Sequence, residues 1–104
     1  MKREAGIMKL YKGMEEEYKK RHNEIWPELV AQIKSQGVSN YSIFLNEKTG
    51  ELFSYLEVED EVAWANRGAD ELTQKWWDYM ADIMETNPDN SPVFIPLDEV
   101  FHLD

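Results

Sequence analysis

At 104 residues the chain fits one domain with a modest core. Eleven basic residues against 21 acidic ones leave a net charge of −10, which is repelled by phosphate backbones and anionic membranes. Nucleic acid and lipid surfaces are therefore disfavoured, and a neutral small molecule or a cation fits better. With no cysteine, the chain has no disulfide, no thiol catalysis and no thiolate metal site. No apolar run reaches about 18 residues, and Met1 to Gly6 has no long apolar stretch behind its charges, so neither a membrane span nor a signal peptide is expected.

In chain order, residues 4–11 read as a first strand, followed by a turn at Lys12-Gly13. Ile7, Met8 and Leu10 do not alternate cleanly, as expected of a strand covered on both faces. A helix opens near Met14. It sets Glu15, Glu16 and Glu17 four residues before Lys19, Lys20 and Arg21, an order that predicts three surface ion pairs worth ~0.3–0.5 kcal/mol each. The next pair in this register is Tyr18 and His22, which the charge pattern does not explain. Pro27 disfavours helical geometry at Trp26 and suits the first position of a second helix. The segment should therefore pause near Asn23, restart at Pro27 and end at Gly37.

Residues 40–58 predict a hairpin around the polar loop Asn46 to Gly50. Its return strand is bulky in both registers, Leu52, Leu56 and Val58 against Phe53 and Tyr55. A helical layer covers only one sheet face, so the other face calls for a second copy of the chain. A short helix is expected over residues 60–66, ending at Arg67-Gly68, and a longer one capped by Asp70 should run to about Met84. Asn87 to Pro92 carries turn chemistry. Val93 to Ile95 is a short extended piece, and the weak alternation from Leu97 to Leu103 predicts the last strand. The order β-α-β-β-α-β is the split βαβ pattern of an α+β, ferredoxin-like sandwich.

His22 is the acid/base candidate, because its side chain titrates near neutrality. The competing reading is a surface histidine at a helix end, where the dipole favours its cation. On the residues alone that reading is the commoner one. His102 is the weaker candidate of the two. No metal-ligand spacing occurs, and no nucleotide or phosphate fingerprint, so any catalysis here is proton transfer without a metal or cofactor. Neighbouring helix residues point about 100° apart, so Trp76-Trp77 suggests one indole in the core and one at a boundary. The alternative is an aromatic wall against the C–H face of a sugar.

Three motifs taken together resemble one family. They are Arg21-His22-Asn23-Glu24-Ile25-Trp26-Pro27-Glu28-Leu29, Trp76-Trp77-Asp78-Tyr79-Met80 and Asn87-Pro88-Asp89-Asn90-Ser91-Pro92. In this order and at this chain length they resemble L-rhamnose mutarotase. The resemblance implies a cytoplasmic homodimer of ferredoxin-like subunits, of the dimeric α/β barrel type, that interconverts the anomers of L-rhamnose without a cofactor. It assigns the proton donor to His22 and the sugar contacts to Tyr18, Tyr41, Trp76 and Trp77. It leaves the base open between Tyr18, a bound water and a loop carboxylate such as Asp89. A haem-degrading or cofactor-light monooxygenase of the same dimeric ferredoxin-like class is the alternative.

Overall fold

A computed structural model describes every residue from Met1 to Asp104. Its elements are β1 (Lys2–Lys9), α1 (Glu15–Asn23), α2 (Pro27–Ser35), β2 (Val38–Asn46), β3 (Glu51–Val58), α3 (Glu61–Ala65), α4 (Glu71–Met80) and β4 (Ile95–Leu97). The strands form one sheet in the order β2-β3-β1-β4, with every neighbouring pair antiparallel. That is the ferredoxin-like arrangement expected from the element order.

Local chemistry accounts for most boundaries. Trp26 is extended (φ −62°, ψ 128°) ahead of Pro27, which opens α2. Gly37 follows α2 at φ +83°, where a side chain would be strained. The Asp60 carboxylate accepts from the amides of Val62 and Ala63, and that of Asp70 from Thr73, capping α3 and α4.

The boundaries of β1 and β2 shift by two residues, and two others differ more from the sequence expectation. Helix α4 stops at Met80, because the chain after it leaves the helix to bond the end of β1. Tyr11 N donates to Ile83 O, Glu85 N donates to Lys9 O, and Leu10 bridges Met84. The last strand is Ile95–Leu97, not Leu97 to Leu103. It pairs with Ala5 to Ile7 of β1, after which Glu99 turns to an ion pair with Arg3 at 2.7 Å. Residues 98–104 form no strand, and Val100, Phe101 and Leu103 are largely exposed.

Strand β2 carries a bulge. Ser39 faces Glu57 and Ser42 faces Tyr55, so Asn40 and Tyr41 together oppose one residue of β3. Asn40 sits at φ +50°, a conformation that asparagine tolerates. The extra residue changes the phase of the strand, so that Ile43 and Leu45 turn to the helical side and Phe44 turns away. Even-numbered residues of β3 face the helices and are buried: Leu52, Ser54, Leu56 and Val58. Its odd-numbered residues Phe53 and Tyr55 share the other face with Ile7, Phe44, Ile95 and Leu97, an apolar surface with no covering layer in this chain.

Candidate active site

Between the inner sheet face and the helices lies a cleft of about 1380 Å³, lined in large part by apolar side chains. It separates the two buried clusters of the domain, one built around Leu52, Met80 and Ile83 and the other around Val38, Leu56 and Val58. A second depression of about 610 Å³, at the β1–β4 edge, is lined by neither a histidine nor a tryptophan. The candidate chemistry therefore belongs to the larger cleft.

Tyr18, His22, Tyr41, Trp76 and Trp77 all line it. Helix α1 brings Tyr18 and His22 together because they are one turn apart: their rings stack at 4.2 Å and 28°. Trp76 meets His22 edge-on at 5.5 Å and 87°. Both Trp76 and Trp77 are half-buried and line the cleft, and Trp76 also packs against the larger buried cluster. The bulge delivers Tyr41: 44% of its surface remains exposed, yet its hydroxyl lies in the cleft, where burial pushes its pKa up against the pull of the Arg67 guanidinium.

The ring of His22 is fixed in one tautomer. Nδ1 lies 3.1 Å from the Tyr18 carbonyl, which can only accept, so Nδ1 carries a hydrogen and Nε2 is the nitrogen left for a ligand. Burial lowers the pKa of His22, opposed by this hydrogen bond. Burial raises that of Tyr18, with Tyr41 adding to the effect, so the Tyr18 hydroxyl stays protonated at neutral pH. Asp89 is committed elsewhere. Its carboxylate accepts from the amide and hydroxyl of Ser91 at 2.9 and 2.5 Å, which lowers its pKa and ties it into the loop.

The structure adds side chains that the sequence reading passed over. Trp26 meets Trp76 edge-on at 5.1 Å and stacks on Tyr79 at 5.8 Å, backing the indole that touches His22. The signal was Trp26 itself, held extended by Pro27. Arg67 lines the cleft with its guanidinium 3.7 Å over Trp64, a contact foreshadowed by their three-residue spacing. Of the three expected ion pairs on α1, only Glu17–Arg21 forms, at 2.8 Å. Glu15 and Glu16 form no ion pair and line the cleft instead, Glu15 half-buried and Glu16 exposed.

Residues 3–103 match the model of the L-rhamnose mutarotase family. The chain belongs to that family. It is 58% identical over its full length, and that of the relative, to an L-rhamnose mutarotase of Bacteroides thetaiotaomicron. It is 53% identical over the same full coverage to one of Bacillus subtilis. Its fold superposes on the crystal structure of an L-rhamnose mutarotase from Formosa agariphila with a TM-score of 0.91, at 50% identity and full coverage of both chains. An L-rhamnose mutarotase is an isomerase of the epimerase type, and the relatives give no support to the monooxygenase alternative. For a mutarotase the cleft has the right parts: an imidazole with one free nitrogen, phenol hydroxyls and an indole wall.

Proposed function

We propose that the protein interconverts the α and β anomers of L-rhamnose, with His22 as proton donor and Tyr18, Tyr41, Trp76 and Trp77 holding the sugar. The observation that carries this reading is the fixed imidazole of His22, stacked on Tyr18 and edged by Trp76, with Nε2 free in an apolar cleft.

In the cationic form, Nε2 gives its proton to the ring oxygen as the anomeric hydroxyl loses its own. The bond between C1 and the ring oxygen breaks, leaving an open-chain aldehyde. Rotation about C1–C2 presents the other carbonyl face, the C5 hydroxyl adds to it as its proton returns to Nε2, and the acceptor of the first anomeric proton gives that proton back to the carbonyl oxygen. Enzyme and sugar formula are both unchanged at the end of the cycle. Tyr18 is too weakly acidic in its buried setting to act as the base, and Asp89 is engaged by Ser91. That favours a bound water or Nε2 itself in a second transfer, since the anomeric and ring oxygens share one carbon. The methyl of a 6-deoxy sugar gains from apolar contact with Trp or Met, and a neutral substrate suits a chain of net charge −10.

NMR exchange between the anomeric protons of L-rhamnose tests the reading. The protein should accelerate exchange well beyond the uncatalysed rate; a change in tryptophan fluorescence on adding sugar, with no acceleration, would leave only a binding module.

The reading extends to a cytoplasmic homodimer. A second copy would cover Phe44, Ile95 and Leu97 on the outer sheet face, which are 67, 57 and 41% exposed, and the apolar tail beyond them. Light scattering should return twice the mass of one chain, and a stable monomer would contradict the dimer. Fractionation of cells checks the compartment.

A further inference from the structure

The Glu17–Arg21 spacing on α1 reads as one more solvated pair, yet the Arg21 side chain is only 11% exposed. Four of its five N–H groups are used. Nε donates to Glu17 at 2.8 Å, Nη1 donates to the Tyr79 carbonyl at 2.7 Å and to Asp82 Oδ1 at 2.9 Å, and Nη2 donates to Asp82 Oδ2 at 3.3 Å. Its Cζ lies 4.4 Å over the Tyr79 ring. Tyr79 is in the last turn of α4, where carbonyls have no partner within the helix, so the guanidinium caps α4 from a neighbouring helix.

The contacts close into a ring. From Arg21 they pass to Tyr79, from Tyr79 to Trp76 at 5.7 Å, and from Trp76 to His22 at 5.5 Å, which is bonded along the chain to Arg21. Helix α1 has no side-chain cap at its start and breaks off after Asn23, so helix continuity does not hold its last turn in place. The tie to the end of α4 does.

We propose that Arg21 is a positioning residue: by clamping the last turn of α1 to the end of α4, it sets the imidazole of His22 against Trp76. This rests on the reading of His22 as proton donor. Proton transfer is sensitive to placement, and an ångström of drift costs on the order of 10²-fold. A planar fork that grips Asp82 with two nitrogens and sits over the Tyr79 ring cannot be replaced by an ammonium.

Arg21→Lys keeps the charge and most of the reach while losing the fork. Asp82→Asn weakens the same grip from the surface side, where Asp82 is 69% exposed and its replacement threatens folding little. Two readouts are taken: the imidazole proton shifts of His22, which feel the ring currents of Tyr18 and Trp76, and the kcat and KM of anomer exchange. Arg21→Lys should remain folded, move the His22 shifts and lower kcat on the order of 10- to 100-fold with KM little changed. Asp82→Asn should move both in the same direction by less. Unmoved His22 shifts in Asp82→Asn, or a kcat loss in Arg21→Lys that vanishes after correction for the folded fraction, would overturn the proposal. If the wild-type protein exchanges no anomers, the mutarotase reading falls, and the His22 shifts still decide whether Arg21 positions the ring.

Discussion

Two guanidinium groups flank the cleft, and each lies over an aromatic ring: Arg21 over Tyr79 at 4.4 Å and Arg67 over Trp64 at 3.7 Å. Arg21 is neutralised by Glu17 and Asp82, whereas Arg67 donates only to the Trp64 carbonyl, at 2.6 Å, and forms no ion pair. The packing beneath them differs in the same sense. Seven buried side chains underlie the His22 end and three the Arg67 end. Rigidity is thus concentrated at the end that holds the proposed proton donor. The other end keeps an exposed cation without an ion-pair partner and the Tyr41 hydroxyl, with donors to spare, which suits reading hydroxyl groups more than moving protons.

The sharpest way to break this division is to remove the group proposed to move the proton. His22→Ala should lower anomer exchange by ~10²–10⁴-fold, the usual worth of a positioned acid, while leaving the fold intact because His22 is outside both buried clusters. NMR exchange rates beside an unchanged circular dichroism spectrum would check it; retained activity would place the acid elsewhere. Trp76→Leu is expected next in size, on the order of 10- to 100-fold in kcat/KM, because it removes the ring that meets His22, Trp26 and Tyr79 at once. If Trp64→Leu at the opposite end cost as much, the two ends would not differ as described.

The pH profile probes the His22 end without any substitution. Burial holds the pKa of His22 below its ordinary value near ~6.5, so the cation is the minor form at neutral pH. If the cation donates the proton, kcat/KM should fall by up to ~10-fold per unit as pH rises through 7 and 8. A profile that rose over this range would make neutral His22 the working form. Stability should respond in the opposite sense. The unfolded chain takes up this proton first as pH falls, so the contribution of His22 to folding is intact above ~6.5 and is lost as pH drops through its folded pKa. Denaturant midpoints measured across that window would follow it.

What could be read from residues alone was what short-range chemistry decides. Pro27 halts and restarts the helix, Asp60 and Asp70 cap, and Gly37 accepts a positive φ, each through its immediate neighbours. The features that escaped depend on segments far apart in the chain. Helix α4 ends early because β1 claims the residues after it, and β4 is placed by the free edge of β1, not by its own alternation. Arg21 looked like a surface charge because Glu17 is its only local partner, while Asp82 and Tyr79 lie about sixty residues on. The assembly of His22, Tyr41, Trp76 and Trp77 was likewise beyond periodicity and came from family resemblance. Spacing alone argued as well for a surface histidine and a split tryptophan pair.

Tyr41 gives the smallest expected effect and the most direct test of the Arg67 end. Tyr41 alternates in phase with Ile43 and Leu45, and the bulge at Asn40–Tyr41, by inserting one residue opposite β3, sets that phase toward the cleft. Tyr41→Phe keeps the ring and the bulge but deletes the hydroxyl. Loss of one hydrogen bond to a sugar costs about 0.5–1.5 kcal/mol, or roughly 2- to 12-fold. Because the hydroxyl is proposed to contact the sugar, and the ring of His22 meets Tyr18 and Trp76 rather than Tyr41, the loss should appear in KM, with kcat and the pH profile of His22 unchanged. A fall in kcat would mean that Tyr41 takes part in the proton transfers, which would erase the boundary between the two ends. Steady-state kinetics of anomer exchange over a range of L-rhamnose concentrations separates the two outcomes.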